Sequence, residues 1–205
     1  MAALRLDFEW RDLEIEVIDP KSTTLVRLFK HPHGEWKPTP KRLRNLRVDP
    51  PDGRKERFAV LYTSSSLETI GQECNVLAVD YANRWTLNEP LEAAHRIARY
   101  GFSNGGIFVR LDGRNSSVFG LDAIPASGGY AEYQQLGFEL YERFVHIAHG
   151  VSWRSYHRHQ NGRVFAIWHS RKRALGLKLQ SVADRASDGE WLTVKSRIAG
   201  LTSLA

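Results

Sequence analysis

The amino-acid sequence predicts an α+β domain, and three observations lead there. Short apolar runs bounded by turn residues read as strands: residues 25–29, 58–62 and 163–169. Between them lie segments whose apolar residues recur at helical spacing. Strands and helices do not alternate as regular βαβ units, so a parallel α/β fold is not predicted. A length of 205 residues suits one domain, and a composition 42% hydrophobic and 11% aromatic can fill its core.

In chain order, Leu13, Ile15 and Val17 alternate with polar residues and predict a strand closed by Asp19-Pro20. Residues 25–29 form a second strand with Arg27 inside it. Residues 30–57, rich in Pro, Lys and Arg, read as a long irregular loop, with His31-Pro-His-Gly34 as a turn. After the buried strand 58–62, Ser65 and Glu68 fit a capping box, and Leu67, Ile70, Cys74 and Leu77 predict a helix to about residue 79. A second helix is expected over 89–100, with Asn88 as cap, Pro90 in the first turn and Gly101 at the end. Residues 106–112 and 118–124 read as strands around an Asp112-Gly113 turn. A third helix over 129–144 presents Tyr133, Leu136, Leu140 and Phe144 on one face. Strands follow at 151–153 and 163–169, the latter after an Asn161-Gly162 turn, and residues 190–198 are assigned to a last strand.

The single cysteine, Cys74, excludes an internal disulfide and cysteine-based zinc sites. The N-terminus turns acidic within seven residues, against a secretory signal. No run approaches the ~18 apolar residues of a spanning helix. A cytoplasmic protein without membrane contact is therefore expected, and the Asn115-Ser116-Ser117 sequon carries no glycan. The net charge of +6 is unevenly placed: residues 1–19 hold two arginines against six carboxylates, residues 27–57 ten basic against four acidic, and residues 153–173 six basic and no acidic residue. Such segments fit a polyanionic partner or ligand, whether nucleic acid, a pyrophosphate compound or an acidic protein, or else a solvated basic surface. His149, His157, His159 and His169 invite a metal reading, but Arg158 and the absence of paired cysteines oppose it, and no metal is expected.

Two glutamates share the predicted first helix. At about 100° per residue, Glu68 lies about 140° from the centre of the apolar stripe, on the solvent side, and its role is explained by the cap. Glu73 lies about 80° from that centre, where the fold half-covers a carboxylate and desolvation makes it costly unless paired. A pair with an arginine would explain it; so would chemistry.

The stretch Leu61-Tyr-Thr-Ser-Ser-Ser-Leu-Glu-Thr-Ile-Gly-Gln-Glu73 resembles the central motif of the RES-domain family, the toxins of RES/Xre-type toxin–antitoxin pairs. Upstream, Thr24-Leu-Val-Arg-Leu-Phe29 matches the family's arginine strand through Arg27, and Leu46-Arg-Val-Asp-Pro50 its arginine-aromatic-Asp-Pro element through Arg47. Val48 stands where an aromatic is usual, so Arg54 and Arg57 are alternatives to Arg47. Downstream, Gly150-Val-Ser-Trp-Arg-Ser155 matches a turn ending in Ser155. The resemblance spans about residues 24–170 of one domain covering 1–205.

The resemblance implies an ADP-ribosyltransferase-like fold, with a central split β-sheet flanked by helices, acting on NAD as substrate. The implied reaction breaks the nicotinamide–ribose bond through an oxocarbenium-like transition state, with water, phosphate or a macromolecule as acceptor. Arg27 and Arg47 would hold the pyrophosphate, Glu73 a ribose hydroxyl and the developing charge, and Tyr62 the cationic nicotinamide ring. Ser155 would orient the nicotinamide or Glu73. The implied partner is an Xre-like antitoxin, through which alone nucleic acid would be met; self-association is left open. No dinucleotide fingerprint supports a Rossmann mode, since Gly101-Phe-Ser-Asn-Gly-Gly106 does not match it. A non-catalytic nucleic-acid-binding domain is the competing reading, resting on basic segments interleaved with Trp36, Trp153, Tyr156 and Trp168.

Overall fold

The structure, a computed structural model, describes residues 4–79, 84–121, 129–155 and 162–198, and the backbone alone of 202–204. In chain order the elements are β1 (Ile15–Ile18), β2 (Leu25–Phe29), β3 (Val60–Ser64), α1 (Leu67–Glu73), β4 (Leu77–Val79), β5 (Trp85–Asn88), α2 (Glu89–Ala94), β6 (Arg96–Gly101), β7 (Gly106–Arg110), α3 (Arg114–Phe119), α4 (Ala131–Phe144), β8 (Gly150–Arg154), β9 (Arg163–Trp168), α5 (Lys172–Leu175), β10 (Lys178–Asp184), α6 (Gly189–Arg197) and β11 (Thr202–Leu204). Eight strands form one mixed sheet in the order β1-β7-β8-β9-β3-β2-β6-β10, and β11-β5-β4 form a second, small one. The class is α+β.

The large sheet is not evenly stitched. β3 pairs with β9 over five residues, Val60↔Trp168 to Ser64↔Val164, and β2 pairs with β6 over five, Leu25↔Tyr100 to Phe29↔Arg96. Between β2 and β3 the register holds a single pair, Val26↔Ser64. Away from it the two strands need side chains to satisfy carbonyls that a full ladder would have paired.

Three apolar clusters clamp this sheet. Val60, Val109, Val151, Trp153, Val164 and Ala166 face Tyr133, Leu136, Leu140 and Phe144 of α4. Leu25, Leu61, Phe108, Phe165 and Ile167 pack on Tyr100 and Leu175. Val26, Leu28 and Ile97 meet Leu67 and Ile70 of α1 and Trp191 and Val194 of α6.

Several expected elements change. α1 stops at Glu73, because Asn75 turns left-handed (φ 55°) and Leu77 enters β4 rather than continuing the helix. Its cap is Ser66, not Ser65: the Ser66 hydroxyl accepts from the Thr69 amide at 3.2 Å. The helix expected over 89–100 ends at Ala94, and residues 96–101 are β6, held between β2 and β10. There Ile97 points to one core and Ala98 and Tyr100 to another, a period of two that strand pairing on both sides enforces. The strand expected over 118–124 is a helix as far as Phe119, closed by Gly120 at φ 70°, and residues 122–128 lie outside the described residues. The strand expected over 190–198 is α6: Asp188 accepts from the Trp191 amide, and Trp191 and Val194 are buried three residues apart.

Candidate active site

The single pair between β2 and β3 is where Arg27 sits. Its side chain is 4% exposed, in mid-strand. Nε donates to Gly34 O at 3.1 Å and Nη1 to Tyr62 O at 3.0 Å, so the guanidinium ties the basic loop to β3 where the ladder fails. Burial holds its pKa below the ordinary arginine value, against the opposing influence of Tyr100, Cys74, Asp49 and Tyr62. Half of the fork foreseen for pyrophosphate is thus used by backbone, and Nη2 is the edge left to a ligand.

Tyr62 is half-buried, its ring edge-on to Trp153 with centroids 6.4 Å apart. Its hydroxyl accepts from the Val48 amide at 3.3 Å and bonds the Asp49 carboxyl. Burial drives the phenol well above its usual pKa, and the Asp49 charge adds to that. Asp49 is 2% exposed, and burial raises its carboxyl to about 6, opposed by the bonds it accepts from the Leu46 amide and Tyr62. The Asp49–Tyr62 bond anchors the segment that carries Arg47.

Arg47 is buried, its guanidinium 5.3 Å from the Tyr130 ring centroid and 5.6 Å from that of Trp153. The alternatives lie elsewhere: Arg57 is ion-paired with Glu142 at 2.7 Å on the outer face of α4, and Arg54 lies over Phe138 at 5.7 Å.

Glu73 ends α1 and is partly covered, on the flank of the buried face. The Ser155 hydroxyl donates to its Oε1 at 2.9 Å, across 82 residues of chain. Ser155 itself is held by its amide, which donates to Gly162 O at 3.0 Å beyond the end of β8. The neighbouring Cys74 thiol is pushed up to about 12, chiefly by burial, with Arg27 pulling it down and Glu73 pushing it up. That thiol feels both groups, so Arg27 and Glu73 share one electrostatic neighbourhood. At neutral pH it is protonated and unreactive.

The structure thus joins Glu73 to Ser155 and Arg27 to the Tyr62 carbonyl by hydrogen bonds, and sets Tyr62 and Arg47 against the Trp153 ring. A half-covered carboxylate oriented by a hydroxyl can stabilise a developing cation, and buried guanidinium groups can hold anionic ones. Sequence reasoning missed Asp49, whose signal was a lone acid beside Pro50 in a basic run. It also missed Arg44, which stitches the loop from inside by donating to the carbonyls of Thr39, Lys55 and Phe58. His149 Nδ1 accepts from the Ile107 amide, and His169 Nε2 lies 2.7 Å from Lys172 Nζ; His157 and His159 fall outside the described residues.

No protein-family model matches the chain, and no curated protein matches it. Among solved structures it is similar to a chain in the crystal structure of the M. tuberculosis MbcT–MbcA toxin–antitoxin complex. The TM-score is 0.54 at 18% identity, over 79% of this chain and 83% of that one. The fold is shared with that chain. No helix among the described residues is long and apolar enough to cross a membrane.

Proposed function

We propose that this chain is the NAD-consuming toxin of a toxin–antitoxin pair, of the RES type and ADP-ribosyltransferase-like. The observation that carries the reading is the 2.9 Å bond from Ser155 to Glu73 in the neighbourhood of Arg27. A serine hydroxyl orients the carboxylate without neutralising it, as an arginine partner would. The likeness of fold to a toxin–antitoxin complex supports the toxin role and an antitoxin partner.

In this reading Glu73 faces the ribose and stabilises the oxocarbenium character as nicotinamide leaves. Ser155 keeps the carboxylate in one rotamer, which lowers the reorganisation needed at the transition state. Arg27 offers Nη2 and Arg47 its guanidinium to the pyrophosphate. Tyr62, with its hydroxyl tied to Asp49 and Val48, presents only the open part of its ring to the nicotinamide. The antitoxin, Xre-like by the family resemblance, covers these residues.

The test is NAD consumption by the purified chain, with and without phosphate, beside Glu73→Gln. The wild type is expected to consume NAD, and the amide, lacking charge, to slow it by about 100-fold or more at unchanged melting temperature. Phosphate dependence identifies phosphorolysis, and label from NAD appearing on protein identifies transfer to a macromolecule. A folded wild type that neither consumes NAD nor transfers its ADP-ribose would overturn the reading.

A further inference from the structure

Helix α4 approaches the Arg47 segment unusually closely. A Cβ on Gly137 would come within 3.2 Å of the Val48 side chain and 3.3 Å of its carbonyl oxygen, so a larger residue would push the Val48 segment back by a few tenths of an ångström. Gln134 Nε2 donates to Leu46 O at 3.1 Å and fixes the same junction. Tyr133 lies four residues before Gly137, on the same helix face, which sets it beside Arg47. The Arg47 charge accordingly acts on the Tyr133 phenol.

Two polar groups here are left unmatched. The Tyr133 hydroxyl and the Trp153 indole Nε1 are buried and have no hydrogen-bond partner among the described residues. Tyr133 is 2% and Trp153 1% exposed. A buried orphan of this kind costs about 1–3 kcal/mol, and an indole N–H can only donate. One guanidinium links the two elements: Arg47 lies 5.6 Å from the Trp153 ring centroid and 5.3 Å from that of Tyr130, about one helical turn before Tyr133. A guanidinium stacked by its face on rings directs its N–H edge sideways, where a multi-oxygen anion is met best.

We propose that the Tyr133 hydroxyl, the Trp153 indole N–H and the Arg47 guanidinium form a phosphoryl-binding subsite. Three kinds of donor on separate elements, α4, β8 and the basic loop, suit an anion with several oxygens. The proposal deepens the NAD reading by naming two further residues that hold the substrate's pyrophosphate, and rests on that reading for the ligand's identity.

The test uses Tyr133→Phe and Trp153→Phe in the full chain, with inorganic pyrophosphate and ADP-ribose as probes in calorimetry. Trp168→Phe, the same change in a second buried indole of the same cluster, controls for lost volume. Removing a donor is expected to weaken pyrophosphate binding about tenfold in each variant and leave Trp168→Phe near wild type. Tyr133→Phe should also melt at or above the wild-type temperature without ligand, since it deletes an orphan. A merely structural hydroxyl predicts the opposite: a lower melting temperature and unchanged affinity. Unchanged affinity in Tyr133→Phe and Trp153→Phe, or no pyrophosphate binding by the wild type, overturns the subsite. If the variants lose pyrophosphate while the wild type ignores NAD, the subsite stands and the NAD reading fails. If NAD is consumed and affinities do not move, the reverse holds.

Discussion

Arg110 and Arg163 close on Asp112, at 3.1 and 3.3 Å, while Arg163 also takes Glu16 at 3.1 Å and Arg110 lies 3.6 Å from Glu14. Around Glu73 the same residue types are arranged otherwise. Arg27 donates to carbonyls, and Glu73 accepts from a serine. In the first cluster opposite charges meet directly, and Glu14 and Glu16 of the acidic N-terminal segment are the counterparts of Arg110 and Arg163. In the second, the arginine and the carboxylate share a neighbourhood without closing on each other. The difference separates a closed ion-pair network from a guanidinium and a carboxylate that are each held by uncharged partners.

The sharpest challenge to that contrast is Asp112→Ala. It removes the carboxylate that Arg110 and Arg163 share, leaving them Glu14 and Glu16, and takes away the acceptor of the Arg154 amide, so it should cost about 2 kcal/mol in urea unfolding. NAD consumption per folded molecule should not change; if it fell as far as in Glu73→Gln, the division into structural and functional clusters would collapse. The next effect belongs to Asp49. Its folded pKa of about 6 lies above the ordinary 3.8, so the folded state binds the proton more tightly. Its contribution is therefore fully present below the unfolded value and is lost as pH rises through about 6. Unfolding at pH 5 and 7.5 should show the wild type gaining roughly 1 kcal/mol at the lower pH relative to Asp49→Asn; equal pH dependence would refute the assignment. Smallest in stability is Ser155→Ala, within about 1 kcal/mol of wild type. It should still slow NAD consumption about tenfold, an amount worth about 1.4 kcal/mol, and an unchanged rate would show that Glu73 needs no orientation.

Much of this arrangement could be read beforehand. Arg27 within an apolar run, the apolar strand ending near Tyr62 and the angular position of Glu73 are local patterns, and local patterns survive folding. The helix over Glu89–Ala94 was legible from Asn88 and Pro90, but its end was not. Residues 96–100 continue with acceptable helix formers, and only pairing with β2 and β10 makes them a strand. The α6 segment misled in the other direction, its β-branched residues outweighed by the Asp188 cap and by Trp191 packing on α1. The partner of Glu73 lies 82 residues away and has no local signal. Tyr133 was legible as a core position, yet its orphan hydroxyl emerges only from packing. The nucleic-acid alternative keeps only part of its footing: Trp36 is exposed, but the rings of Trp153 and Trp168 pack within the core, Arg163 and Lys172 are engaged within the fold, and Tyr156 lies outside the described residues.

The strand order also sets a timetable. The arginine strand, β2, pairs with residues some seventy positions later, β3 with residues a hundred positions later, and Ser155 follows Glu73 by 82. Contacts so distant in sequence form slowly, after long loops have closed. During synthesis, a nascent chain holds Arg27, Tyr62 and Glu73 well before Ser155 and β9 exist to complete their surroundings. On the proposed reading, a nascent chain therefore has no complete site until residue 155 and β9 have been made, and truncation before residue 155 should abolish NAD consumption.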